Sequence, residues 1–431
     1  MSAQQTEPTR RRLVTDIRPL REAPVFRRLW LSGSVSTIGG QLTNFAIALQ
    51  VYQLTHSSFA VGAVSLVGMV PLLLVGLFGG SIADNVDRRR LAMAMSVCLA
   101  GISVLLALQA FLSFNQLWLL YLLVGMQSLF VAINAPTRQA ILPQLLPEDQ
   151  LAAGIALTMG TFQASMLIGP AVAGVLTAVG GLRLCYLVDV ITFVFGLYGL
   201  FGLPPMPPKE RSGSMGLRSV LDGLRFVRTR PILIGMFAAD LNAMVLGMPI
   251  SLFPAINATH FGGSAQTLGL LSSAVGFGGV IGSVLSGPLG QVRRPGRGML
   301  LLIMCWGAGI AVFGFTRQFW LALLALAICG ALDNASVVLR TLVMQLVTPD
   351  RYRGRVNGLN FVVGAGGPQL GMFEAGLVGS LVSPVVSAVS GGIATIVGAV
   401  VIGFAVPSLS RYDKTGNDKT RIDETAAQAT E

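Results

Sequence analysis

Long apolar runs alternate along the chain with short polar breaks, and most of the charge is confined to those breaks and to the two ends. Twelve apolar segments can be drawn, at about 29–54, 59–83, 91–112, 117–137, 151–179, 183–204, 231–256, 266–290, 298–316, 319–342, 358–381 and 386–408. Each approaches or exceeds the ~20 residues that a helix needs to cross a hydrocarbon core about 30 Å thick. Helix is the expected form, because a segment in lipid must satisfy its own backbone hydrogen bonds. The longest break, Pro204 to Pro231, separates the sixth segment from the seventh. Its Pro/Gly/Ser-rich start reads as a linker, and "LRSVLDGLRFV" after it as a short amphipathic helix on the membrane surface. The expected layout is an N-terminal segment (1–28), a six-helix bundle (29–204), a central loop (205–230), a second six-helix bundle (231–408) and a tail (409–431). The tail after Leu409 is polar and is expected to be disordered.

Composition supports this reading. Of the 431 residues 53% are hydrophobic, more than the polar skin of a soluble domain allows. The first 28 residues are polar and arginine-rich without an apolar core, so no cleavable signal peptide is expected. The net charge of +11 would suit a nucleic-acid partner, but its placement argues otherwise. With both termini in the cytoplasm, only Arg183 and Arg317 of the 30 Lys and Arg fall on the far side. That asymmetry is the signature of membrane topology, and no nucleic-acid partner is expected. Cys98, Cys185, Cys305 and Cys329 lie inside apolar runs without metal-ligand spacing and read as small hydrophobes, so neither metal nor cofactor is expected.

The chain repeats itself. An offset of 207 carries Gly62 onto Gly269, Gly80 onto Gly287, Arg90 onto Arg297 and Cys98 onto Cys305. An offset of 202 then carries Trp118 onto Trp320, Arg138 onto Arg340 and Pro147 onto Pro349, and Gly169–Pro170 faces Gly367–Pro368 four residues out of that register. A duplicated six-helix unit follows, and two such halves around a midplane cavity suit alternating access.

Between the second and third segments, "GGSIADNVDRRR" packs two acids and three arginines into seven residues. Twelve segments, the 6+6 repeat, the central loop and this charged loop together resemble the major facilitator superfamily. The loop pattern of that superfamily falls on Gly80, Asp84, Asp87, Arg88 and Arg89, with Asp87 where glycine is usual. The "THSSFAVG" entry to the second segment and "GRVNGL" (Gly354 to Leu359) resemble its siderophore-exporting, enterobactin-type branch. The resemblance implies that Asp84 faces the start of the eleventh helix when the cytoplasmic side is closed. The loop would then act as a conformational latch, its arginines pairing with acids across the seam, rather than only as a topology determinant. In the fifth segment Gly160, Gly169, Pro170 and Gly174 partly resemble the superfamily's antiporter signature, where small residues permit close helix approach and proline introduces a kink.

Four acids fall inside apolar segments: Asp189, Asp240, Asp333 and Glu374. A charge at bilayer depth costs ~3 kcal/mol or more, and desolvation favours the neutral form of a carboxyl group, as a proton carrier requires. Asp240, roughly 13 Å past Pro231, is the leading proton-coupling candidate, while Asp333 is placed to network with Arg340 on the same helix face. Polar groups on the other segments are candidates for cavity or interhelical contacts: Gln41 and Asn44, then Gln127, Asn134 and Arg138 in one stripe, Gln163, and Arg340. Arg138 and Arg340 are expected at cytoplasmic helix ends, which leaves no deep cation for an anionic cargo.

These features point to a secondary exporter without enzymatic activity. By resemblance it would sit in a bacterial inner membrane, work as a monomer, and exchange protons for a siderophore-like molecule. A broad drug or macrolide antiporter is the alternative. No phosphate-binding loop sequence G-x-x-x-x-G-K-[ST] is present to support ATP-driven pumping by this chain alone. A membrane enzyme would need clustered catalytic groups at membrane depth, and a channel would not need the duplicated halves.

Overall fold

The computed structural model describes residues 16–207 and 217–414, apart from the side chains of 76–85 and 217–220. Among the described residues there is no β-strand. The helices follow the apolar runs: α1 (Pro24–Thr55), α2 (Ser58–Asn85), α3 (Arg88–Phe111) and α4 (Leu117–Leu145). The helical run Glu148–Phe201 is broken at Gly181, whose φ of 70° falls in the left-handed region that glycine tolerates. It therefore supplies two spans, α5 (148–180) and α6 (182–201). In the second half α7 (Pro231–Leu246) is continued, after a 3-10 turn, by Phe253–His260. Then come α8 (Ala265–Leu285), α9 (Pro295–Phe315), α10 (Phe319–Val347), α11 (Asp350–Leu381) and α12 (Pro384–Ala405). A separate helix, Leu217–Arg228, lies in the central loop.

Local chemistry sets the helix ends. Ser57, Asp87, Ser264 and Ser383 cap α2, α3, α8 and α12 with side-chain oxygens that accept backbone N–H groups. Pro24, Pro231, Pro295 and Pro384 open α1, α7, α9 and α12, where a missing N–H costs nothing. The repeat is visible here too, since the 207-residue offset carries the Ser57 cap onto the Ser264 cap.

The sequence expectation placed the ends of the fourth and tenth segments too early. Helices α4 and α10 run on to Leu145 and Val347, so Arg138 and Arg340 each lie seven residues inside, roughly 10 Å from the helix end. An arginine ends an apolar run, but it is a good helix former and does not end a helix. The tail is also held further than expected. Asp413 pairs with Arg293 at 2.7 Å and lies 3.9 Å from Arg294, while the Lys414 Nζ donates to the Gly290 carbonyl at 2.7 Å. The loop between α8 and α9 thus takes an acid from the tail. The remaining expectation of disorder, from residue 415, lies outside the described residues, as do residues 1–15 and 208–216.

The two halves meet through glycines at the end away from the termini. A Cβ on Gly62 (α2) would lie 3.2 Å from the Gly376 Cα (α11), and one on Gly174 (α5) would lie 3.1 Å from the Gly269 Cα (α8). The offsets of 207 and 202 interchange these two contacts, so one backbone-to-backbone approach is used twice. Around them a single apolar cluster draws on both halves, including Phe45, Val61, Tyr186, Phe253, Leu268 and Phe313. At the arginine-rich end the core divides. Leu29, Ala92, Ile141 and Leu200 belong to one cluster in the first half, and Leu233, Met299, Leu339 and Val356 to another in the second. Among the described residues, Gly160, Gly354 and Gly364 have no atom within 4 Å of a built Cβ. The halves are therefore closed together at one end, while each keeps its own core at the other.

This geometry makes a specific claim about Gly376. With native cysteines replaced and Asn44→Cys as reporter, Gly376→Val should raise labelling by an impermeant thiol reagent, applied from the closed end, severalfold. Unchanged labelling would show that the glycine contact does not hold that end shut.

Candidate functional site

Deep in the second half, α7 and α10 bring Asp240 and Arg340 together. The Arg340 Nη1 donates to the Asp240 Oδ2, and both side chains are buried. Asp240 sits nine residues into α7, and Arg340 reaches it because α10 continues past it toward the arginine-rich end. The Arg340 Nε has no partner, so the guanidinium is committed through one edge only. Asp333 lies two turns earlier on the same face of α10 and is exposed. Asp240 and Arg340 form a neutral pair, and Asp333, which makes no ion pair among the described residues, adds a further carboxylate on the same helix face as Arg340. The sequence placed Asp333 in a network with Arg340 by helix spacing. The structure gives the direct bond to Asp240, because the long guanidinium stem reaches across to α7 rather than back along its own helix.

Asp189 occupies a different setting. It is fully buried in the first half, where the Ser103 hydroxyl donates to its Oδ2 at 2.6 Å and its Oδ1 has no partner. The carboxyl is wedged against α1, since a Cβ on Gly39 would stand 2.6 Å from its Oδ1. Glu374 is half-buried toward the far end of α11. Neither is brought to the Asp240–Arg340 cluster.

A cavity of about 180 Å³ lies between the halves. Gln41, Asn44 and Phe45 of α1, Met166 and Pro170 of α5, Phe253 and Pro254 after α7, and Leu268 and Ser272 of α8 form most of its wall. Of the polar candidates, Gln41 and Asn44 line it, while Gln127, Asn134, Arg138, Gln163 and Arg340 do not. The Gln163 Nε2 packs against Gly279 of α8. On α4, Arg138 donates from Nη2 to the Ser96 Oγ at 3.2 Å, and the Asn134 Oδ1 has no partner. The apolar share of this wall comes largely from Phe253, Pro254 and Leu268, which the sequence reading had not selected. Their only signal was position, Phe253 and Pro254 at the end of the seventh apolar segment and Leu268 at the start of the eighth.

The helix 5 glycines take separate places. Gly169 packs against the Gln41 side chain, Gly174 meets α8 and Gly160 is open. Pro170 lies within a continuous helix whose backbone break is at Gly181. In the charged loop, Asp87 caps α3 and also accepts from the Met206 N at 3.1 Å. Arg88 donates to the Ala140 carbonyl and Arg89 to the Phe201 carbonyl, at 3.1 and 3.0 Å. These contacts tie the loop to its own half. The side chain of Asp84, with the neighbourhood of Gly80, lies outside the described residues. No cluster of three or more His, Cys, Asp or Glu able to hold a metal occurs among the described residues.

Comparison with known proteins adds to this geometry. The family of transmembrane secretion effectors matches residues 14–429. The enterobactin exporter EntS of Shigella boydii serotype 18 is 30% identical over 408 residues, spanning 94% of this chain and 97% of that protein. The enterobactin exporter of Escherichia coli strain SMS-3-5 matches with the same identity and coverage. Among solved structures, the nucleoside transporter NupG superposes with a TM-score of 0.73 at 12% identity, over 90% of this chain and all of that one. A bacterial homologue of the human lysosomal transporter Spinster, in an inward-facing and unoccupied conformation, gives 0.66 at 15% identity, over 90% and 96%. At these identities the two structures bear on the fold alone.

The buried pair is open to direct test. Arg340→Ala or Asp240→Asn leaves a charge without its partner, and each should lower stability in detergent by about 3–5 kcal/mol. The double variant Asp240→Asn/Arg340→Gln should lose clearly less than the sum of the singles in chemical unfolding. Additive losses would mean that the two groups do not act as a pair.

Proposed function

The chain belongs to the transmembrane secretion effectors, a family of major facilitator transporters, and from that premise we propose a proton-driven exporter that moves a siderophore-like molecule by alternating access. The resemblance to enterobactin exporters supports the cargo class. Both termini lie in the cytoplasm and the chain works as a monomer in a bacterial inner membrane. In that orientation the end where each half has its own core faces the cytoplasm, where cargo for export is loaded. The bundles at 29–204 and 231–408 rock about the glycine contacts. As this end closes, Gly80, Asp84, Asp87, Arg88 and Arg89 form the latch across the seam.

The observation that carries the coupling is the surplus carboxylate. Asp240 and Arg340 neutralise one another, and Asp333 remains exposed beside them. Closing the halves over a bare carboxylate leaves a charge at membrane depth, at ~3 kcal/mol or more. Either a proton or a donor group of the cargo removes that cost. Proton and cargo therefore compete for Asp333, and competition at one group is what antiport needs. Asp240, first in the sequence ranking, becomes the anchor that holds Arg340, and Asp333 becomes the exchanging group. Asp189 and Glu374 stand apart from this cycle. The largely apolar wall beside Gln41 and Asn44 also suits a macrolide-like drug, which is the second reading.

Inverted membrane vesicles with an imposed inside-acid gradient provide the test. A siderophore or a macrolide should accumulate against its gradient with the native chain. Accumulation should fall at least tenfold in Asp333→Asn, while exchange of labelled for unlabelled cargo without a gradient persists. Undiminished gradient-driven uptake in Asp333→Asn would refute the assignment.

A further inference from the structure

The repeat that relates the halves is broken at one telling place. The 207-residue offset carries Pro24, which opens α1, onto Pro231, which opens α7, and in the same register it carries Gly33 onto Asp240. The 202-residue offset carries Arg138 onto Arg340. The first half therefore keeps the arginine of the buried pair and has glycine where the carboxylate should be. The contact itself survives, because a Cβ built on Gly33 would lie 3.2 Å from the Arg138 Nη1. Arg138 points at the spot that a carboxylate occupies in the other half.

Its surroundings have adjusted to the missing acid without replacing it. The 207-residue offset carries Ser96 onto Ile303, and the Ser96 hydroxyl accepts one bond from Arg138, whereas Ile303 is an apolar core residue. The Nε of Arg138 has no partner, and neither has the Oδ1 of Asn134 one turn away on α4. Both residues are half-buried, while these two unpartnered atoms are themselves buried. A guanidinium that makes no ion pair among the described residues, and whose side-chain partner is a hydroxyl, keeps donor capacity for a planar acidic group.

We infer that Arg138, standing over Gly33, binds the acidic group of the exported molecule, a carboxylate or an acidic phenol, in the place where the second half supplies its own Asp240. This rests on the exporter reading and narrows it. The cargo carries an acidic group for the first half and a donor group for Asp333 in the second. It also supplies the deep cation that an anionic cargo requires and that the apolar runs alone did not reveal.

The test is binding to the detergent-purified full chain by equilibrium dialysis, with labelled salicylate and its neutral counterpart salicylamide as probes. The native chain should prefer salicylate by about tenfold or more, the scale of one charge-assisted hydrogen bond. Gly33→Asp recreates the internal pair and should abolish that preference while leaving salicylamide binding in place. Arg138→Gln should abolish it as well, which covers the case that Gly33→Asp fails to fold. Equal binding of the two probes to the native chain, or a preference that survives both substitutions, overturns the inference. Neither outcome depends on a proton gradient, so it can fail while gradient-driven export stands.

Discussion

A carboxylate and a guanidinium buried against each other between α7 and α10 set the terms for the rest of this molecule. Neither charge is tolerable alone at that depth, and together they contribute little net stability compared with an apolar pair. Their value lies in the arrangement they impose. Arg340 is fixed, Asp240 is spent, and the next acid on the same face is left with no cation of its own. In the proposed cycle, closing the halves would change the surroundings of Asp333 from water to protein. That unpaired carboxylate is what the proposed exchange of proton for cargo turns on.

The mechanical side of the same cycle comes from residues with no charge. Gly62 with Gly376, and Gly174 with Gly269, let backbones from opposite halves approach at the closed end. Lipid gives little hydrophobic drive between helices, so close packing of small residues carries the contact. The two approaches are related by the internal repeat, and the proposed rocking of the halves would turn about them. Toward the arginine-rich end each half has its own core, so parting there exposes no shared apolar cluster.

Much of this was legible in the sequence, and the exceptions have physical causes. Hydropathy placed the twelve spans because lipid demands continuous apolar runs, and the repeat followed from Gly62, Gly269, Arg138 and Arg340 falling into register. Hydropathy misjudged α4 and α10, where arginine interrupts the apolar run but helical hydrogen bonding continues to Leu145 and Val347. That error concealed the depth of Arg138 and Arg340, and with it the partner of Asp240. Asp240 itself was visible as an acid where none is expected. Its bond across to α10 was not, since helix periodicity reports neighbours on one helix and is silent about the helix opposite. The glycine facing Arg138 carried no signal alone, and acquired meaning only once the two halves were compared position by position.

The central claim, that cargo and proton exchange at one surplus carboxylate, is tested most directly by measuring protons released when cargo binds the purified chain in weakly buffered solution. The account predicts proton release on addition of a siderophore to the native chain, and none from Asp333→Asn. Binding without proton release at any pH, or release that persists in Asp333→Asn, would contradict it.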